Sequence, residues 1–308
     1  MRSPLAHEFV ARPQNTLHGI LWMVLTGLCF VTVTAIVRYL GSSLPATEMA
    51  FIRYAFGVIL VLPALMSLAR SRPSLKRLNF FAWRGLVHSI GVMLWFYAMA
   101  RIPMAEVTAI GYVAPIFVAI GAALFLGEKM QARRIASIGV GFLGALIILR
   151  PGFQEINSGQ LAQLAAAPLF AASFLMAKKM TATEDSSIIV AMLTLLCTVA
   201  LLPGAIYHWQ TPTTHELIWL FVTAVSATAG HYTLTRAFQA APLTVTQPLT
   251  FLQLVWAAAI GVVVFGEAID PFVLIGGGIV VASVTYISHR EAVAARQQHT
   301  PPAPATKF

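Results

Sequence analysis

"LFLGEKMQAR" spans residues 124–133 and "VVFGEAIDPF" spans 263–272. Each sets Gly-Glu directly behind a long apolar run. A glycine there can end a helix, because it enters the left-handed backbone region without steric cost. A carboxylate just before the next helix favours that helix's N-terminal end. Asp270-Pro271 continues the pattern as N-cap and first helical residue. A direct part for Glu128 or Glu267 in coupling is the other reading. The pattern recurs at an offset of 139, which also maps Pro103 onto Pro242 and Gly139 onto Gly278. At an offset of 140, "VLPA" around Pro63 maps onto "LLPG" around Pro203, and Arg38 onto Lys178. The chain reads as two copies of one plan.

Of 308 residues, 58% are hydrophobic and 10% charged, with a mean hydropathy of +0.79. A soluble domain carries about 25% charged residues, so the outer surface here must meet lipid. A spanning helix needs about 20 mostly apolar residues. Ten segments qualify: 17–37, 46–68, 81–100, 104–126, 132–149, 160–178, 187–207, 216–238, 243–265 and 271–288. Barrel strands would alternate over about ten residues instead. The expected fold is all-α integral membrane, with ten transmembrane helices as two five-helix repeats, 17–150 and 151–289, between a segment 1–16 and a tail 290–308. The first segment has no apolar core, so no cleavable signal is expected. The polar, Pro-rich tail is expected to be disordered. Cys29 and Cys197 both lie in apolar runs, which indicates neither a disulfide framework nor a metal site.

Five is odd, so the second repeat must enter the membrane inverted. Halves related in this way suit a transporter that rocks about a site near the midplane. The net charge of +9 is concentrated in "RSRPSLKR" (70–77), "EKMQARR" (128–134), Lys178, Lys179 and the residues after 289. Basic loops stay in the cytoplasm, which places both termini there and Glu267 outside. The excess charge therefore points to membrane topology rather than nucleic acid.

The stretch "ARIPMAEVTAIGYVAPIFVAIGAALFLGEK" at 100–129 resembles the third and fourth helices of EamA-type transporters in the drug/metabolite transporter superfamily. Ten helices, the inverted duplication and the two Gly-Glu pairs agree with that resemblance. It implies a central cavity lined by helices 1, 3, 4, 6, 8 and 9, and a small metabolite as substrate. Helix 1 reads "TGLCFVTVTA" at 26–35, without the Trp-Ser of the family's aromatic amino acid exporters.

Polar side chains inside apolar segments mark candidate sites, since a charge at the bilayer centre costs about 2.5–3.5 kcal/mol. Tyr232 and Arg236 share one stripe of helix 8 with Gln239, and Thr228, His231 and Thr235 form the next. Both stripes are expected to face a water-filled cavity, with Arg236 touching substrate or snorkelling to the cytoplasm. On helix 9, Thr246, Thr250 and Gln253 share a face, with Gln247 nearby and Trp256 a turn beyond. His88 and Trp95 align on helix 3; Thr108, Tyr112 and Pro115 align on helix 4. All are read as substrate contacts, against helix packing as the alternative. Arg53 is read as a gate or substrate contact that could pair with Glu48. Arg101 and Glu106 bracket the 3–4 turn and could form a latch. Arg84 reads as snorkelling.

A lining rich in aromatics and amides, with a net positive charge, suits an amphipathic solute bearing a carboxylate. The functional expectation is an alternating-access secondary transporter in the bacterial inner membrane. It would export an amino acid or an amino-acid-derived compound such as an opine-type metallophore, without a cofactor. Uptake of riboflavin or S-adenosylmethionine is the alternative that the resemblance allows. An integral-membrane enzyme would need clustered acids, metal ligands or a nucleophile with its base, and none is spaced for it. The expected partners are the solute and membrane lipids, and the expected state is a monomer or weak dimer. Reporter fusions at Arg77, Arg134 and the C-terminus should read cytoplasmic, and fusions near Gly41, Gly152 and His208 external. External labelling of the tail in intact cells would refute this topology.

Overall fold

The computed structural model describes residues 16–70, 75–114, 116–118, 120–121, 132–150, 155–180, 183–240, 249–250 and 252–299. Glu128, Pro115, Thr246 and Gln247 lie outside them. The described residues are all-helical, with no strand. In chain order the helices are α1 (Thr16–Leu40), α2 (Ala46–Arg70), α3 (Leu75–Met99), α4 (Met104–Gly111) and α5 (Ala132–Leu149). They continue as α6 (Ser158–Met180), α7 (Ser186–Tyr207), α8 (Thr214–Ala240), α9 (Leu252–Phe265) and α10 (Pro271–His299).

Five of them contain spans long and apolar enough to cross a membrane: Leu17–Leu40, Ala46–Leu68, Ser158–Ala177, Ser186–Tyr207 and Thr214–Ala237. Shorter apolar helices cover Ile135–Leu149, Leu252–Phe265 and Pro271–Ser283. Large aliphatic side chains such as Ile59, Leu62 and Val263 are exposed, as a lipid-facing surface requires. The interior is built around Tyr54, Phe96, Met49, Met99, Ile110 and Leu193, all nearly inaccessible.

Two segments depart from expectation. Helix 4 is interrupted after Gly111, where the ladder tightens to Tyr112 N–H→Ala109 C=O and Val113 N–H→Ile110 C=O, and residues 114, 116–118 and 120–121 are helical again. A proline at 115 supplies no N–H and would crowd the carbonyl of residue 111, so an unbroken α-helix across this point is unfavourable. The tail is helical as far as His299 rather than disordered from 290. Its Glu, Ala, Arg and Gln residues are good helix formers that extend the preceding span.

The closest helix pairings are α1 with α8, α2 with α7, α3 with α6 and α5 with α10, with α4 against α9. The α5–α10 contact depends on missing side chains. A Cβ on Gly276 would lie 2.5 Å from the Gly144 carbonyl oxygen, and one on Gly144 would lie 2.7 Å from the Gly276 carbonyl oxygen. Small residues permit such close approach in lipid, where packing takes over from hydrophobic driving force. Gly276→Leu should therefore wedge the pair apart and cost about 1–3 kcal/mol or more. Gly278→Ala, which has nothing within 4 Å of its added Cβ, should change little. Thermal unfolding of both variants in detergent measures the difference, and equal melting temperatures would contradict the packing account.

Candidate substrate site

Side chains far apart in sequence converge between α1, α3, α6 and α8. The His88 and His231 rings lie 5.5 Å apart at 66°. Phe30 meets His231 edge-on at 5.2 Å, and Phe170 meets His88 at 5.3 Å. Trp95 closes the ring at 6.0 Å from Phe170 and 6.5 Å from Phe30. Edge-to-face geometry fits the quadrupoles of these rings. Ser173 orients His88 through a 3.0 Å bond to Nδ1, while the buried Nε2 has no hydrogen-bond partner. The structure thus brings the predicted His88, Trp95 and His231 together.

A second convergence lies where α4 ends. The Tyr112 hydroxyl donates to the Thr250 carbonyl at 2.9 Å, joining α4 to the approach to α9. The amide of Gln163 on α6 lies against Gly111, 3.1 Å from where a Cβ would be, and its buried Oε1 receives no hydrogen bond. Thr108 donates to its own helix, to the Met104 carbonyl. Gln253 is half-buried on the face of α9 that carries buried Ala257 and Gly261, while Trp256 is exposed.

The two stripes of α8 separate. His231 and Thr235 turn inward, whereas Tyr232 and Arg236 are exposed. Arg236 donates to the Tyr232 hydroxyl at 3.4 Å and lies 5.6 Å from the Trp22 ring. The Arg53–Glu48 pair does not form: Glu48 accepts from the Gln210 N–H at 2.9 Å, and Arg53 lies 3.8 Å from the Tyr54 ring centre. Arg101 and Glu106 also part. Arg101 stacks on Tyr97 and donates to its carbonyl, and Glu106 accepts from Gln160 at 2.5 Å. Both expected pairings were local in sequence; the two carboxylates take donors from elsewhere in the chain, and the two arginines lie on neighbouring tyrosines instead. Arg84, read as snorkelling, is buried and donates to the Ser173 and Ile189 carbonyls.

Sequence reasoning missed Phe30, Phe170, Ser173 and Gln163. The phenylalanines resemble any lipid-facing residue of an apolar run. Gln160 and Gln163, spaced three apart on α6, were the readable signal.

One end of the bundle is joined by carboxylates. Glu267 accepts from Arg38 Nε at 2.8 Å and from the Met104 N–H at 2.9 Å, while Arg38 Nη1 reaches the Ala100 carbonyl at 3.4 Å. Gly266, at φ +63°, ends α9 with its N–H on the Val262 carbonyl, so the glycine caps as expected. Glu267 serves α4 rather than the next helix, because Pro103 has no side-chain acceptor for the first N–H of α4. Asp270 caps α10 through the Phe272 N–H and pairs with Arg150 at 2.5 Å. A cleft of about 70 Å³ between α4, α9 and α10 is bordered by Glu106, Glu267 and Asp270. At the other end, Arg77 on α3 pairs with Glu184, just before α7.

Residues 17–150 and 157–289 each match the EamA-like transporter family, and the chain belongs to that family. It is a bacterial membrane transporter of the drug/metabolite type. It is 32% identical to a riboflavin transporter of Vibrio cholerae, over 92% of this chain and 97% of that protein. It is 28% identical to an S-adenosylmethionine uptake transporter of Rickettsia prowazekii, over 92% and 96%. The pseudopaline exporter CntI of Pseudomonas aeruginosa is 27% identical, over 88% and 95%. A solved crystal structure superposes with a TM-score of 0.59 at 16% identity, covering 92% of this chain and 98% of its own. That likeness concerns the fold.

Glu267 and Arg38 are coupled through a partly buried, charge-assisted bond. Glu267→Ala and Arg38→Ala should show a coupling of about 1–3 kcal/mol in a double-mutant cycle of thermal or denaturant stability. Hydrogen exchange at Met104 should rise in Glu267→Ala alone. Additive effects, with exchange unchanged, would mean the contact contributes nothing.

Proposed function

We propose that the chain is an alternating-access transporter with ten membrane-spanning helices in two inverted five-helix repeats. Its cargo is a small amphipathic metabolite bearing a carboxylate, of the amino-acid-derived kind, moved outward across the inner membrane. The observation that carries the reading is the aromatic and imidazole cluster of Phe30, His88, Trp95, Phe170 and His231 at the junction of helices from both repeats. Such a cage can stack a planar or apolar body, while imidazole and amide groups fix polar ends.

The helix pairing supports the two-fold plan. Exchanging the repeats turns α1–α8 into α6–α3 and leaves α2–α7, α4–α9 and α5–α10 unchanged. Met104 at the start of α4 meets Glu267 just past the end of α9, as antiparallel counterparts would. With the Arg77 end in the cytoplasm, the carboxylate contacts of Glu267, Asp270, Glu106 and Glu48 form the outer closure. Arg236, with Trp22 and Tyr232, then stands at the inner entrance and attracts the anion. Thr250, just before α9, and Gln253 on it extend the polar wall.

Uptake of riboflavin is a second reading, favoured by the 32% identity to the Vibrio cholerae protein and by a cage suited to a flat heterocycle. Proteoliposomes given labelled riboflavin, S-adenosylmethionine or an N-carboxyalkyl amino acid distinguish the two. The first reading expects saturable movement of the last. For whichever solute moves, Trp95→Ala and His231→Ala should weaken binding about tenfold or more, equivalent to ~1.4 kcal/mol, with expression unchanged. Unaltered affinity in both variants would remove the cage from the binding site.

A further inference from the structure

We infer that Arg53 is the residue that receives the negative charge of the transported solute, an inference that rests on the transporter reading above. Among the described arginine side chains, Arg53 stands apart. Arg38, Arg77 and Arg150 are each paired with a carboxylate: Glu267, Glu184 and Asp270. Arg84 and Arg101 donate to backbone carbonyls, and Arg236 to a tyrosine hydroxyl. Among the described residues no carboxylate lies within ion-pair distance of Arg53, and its buried Nε has no acceptor, although the residue is only 4% exposed. A guanidinium cannot escape this position by losing its proton. Burying it unpaired is unfavourable, so a retained Arg53 calls for an anion that the protein itself does not supply.

Its surroundings point to that anion's source. One turn further along α2, a Cβ on Gly57 would lie 2.9 Å from Thr194 and 3.6 Å from the Thr228 hydroxyl, so this face of α2 is pressed against α7 and α8. Thr228 is one turn before His231 on α8. Tyr54, on which Arg53 lies, shares one packed cluster with Trp95 and Phe170 of the cage. Arg53 lies over the Tyr54 ring, 3.8 Å from its centre, and its Nε–H has no acceptor, so a carboxylate would satisfy it with a charge-assisted bond. A solute whose apolar body occupies the cage therefore meets a fixed cation beside it. Arg84 is distinct, because its bonds to two carbonyls hold α3 against α6 and α7.

The test uses purified full-length protein and an isosteric pair, N-acetyltryptophan and its neutral amide, with binding read by calorimetry. The wild type should prefer the acid at least tenfold. Arg53→Met should abolish that preference while leaving the amide unchanged, and Arg53→Lys should restore part of it. Without ligand, Arg53→Met should melt no lower than the wild type, because it removes an uncompensated buried charge. A clearly lower ligand-free melting temperature, or a full acid preference in Arg53→Met, would overturn the inference. If Trp95→Ala loses both probes while Arg53→Met loses neither, the cage stands and only the anion receptor falls. If neither probe binds the wild type, the carboxylate-solute reading falls together with it.

Discussion

A helix that starts in an apolar medium must find acceptors for its first N–H groups, because no water is there to supply them. At α4 this requirement cannot be met locally, since the preceding residue is Pro103. The carboxylate of Glu267, in the link between α9 and α10, meets it and is itself neutralised by Arg38. One acidic side chain thereby fixes the ends of α1, α4 and α9 relative to each other.

Neighbouring ends are satisfied in related ways. Asn157 and Gln160 exchange backbone N–H bonds at the start of α6, and the Gln160 side chain also donates to Glu106 of α4. Arg150 holds a left-handed backbone conformation, φ 45°, while paired to Asp270 and stacked on Phe272. Such a conformation in a residue with a side chain is strained, and the contacts to α10 hold it. These bonds are compact, polar and confined to helix ends, so they can part without disturbing the apolar interfaces between them. That separation of roles suits the proposed closure at one end of a rocking bundle.

The interior differs in kind. Its rings contact one another edge to face, and several of its polar atoms, Arg53 Nε, His88 Nε2 and Gln163 Oε1, have no hydrogen-bond partner. A fold selected for stability alone would satisfy or remove such groups. They lie on α2, α3 and α6, around the junction where α1 and α8 add Phe30 and His231. Unmet polar groups beside an aromatic cage are what a site prepared for a polar, ring-bearing solute would contain.

The sequence alone determined where helices lie, because the length of an apolar run and its Gly, Pro and Asp punctuation are local properties. Thus α5 was bounded correctly at both ends, Gly266 and Asp270 act as the caps their neighbours implied, and the repeat emerged from spacing. Family membership was legible for the same reason, being carried by a contiguous stretch. Which side chains face one another was decided only by the tertiary structure. Arg53 with Glu48, and Arg101 with Glu106, were near in sequence, yet neither pair forms: the carboxylates accept from Gln210 and Gln160 of the second repeat, while the arginines lie on the neighbouring Tyr54 and Tyr97 rings. His88 and His231 meet because α3 and α8 both border the centre, and Phe30 and Phe170 join them from α1 and α6. No local rule separates those two phenylalanines from others in the same apolar runs. The direction a residue faces on a membrane helix depends on which helices surround it, and that is set by packing across the whole bundle.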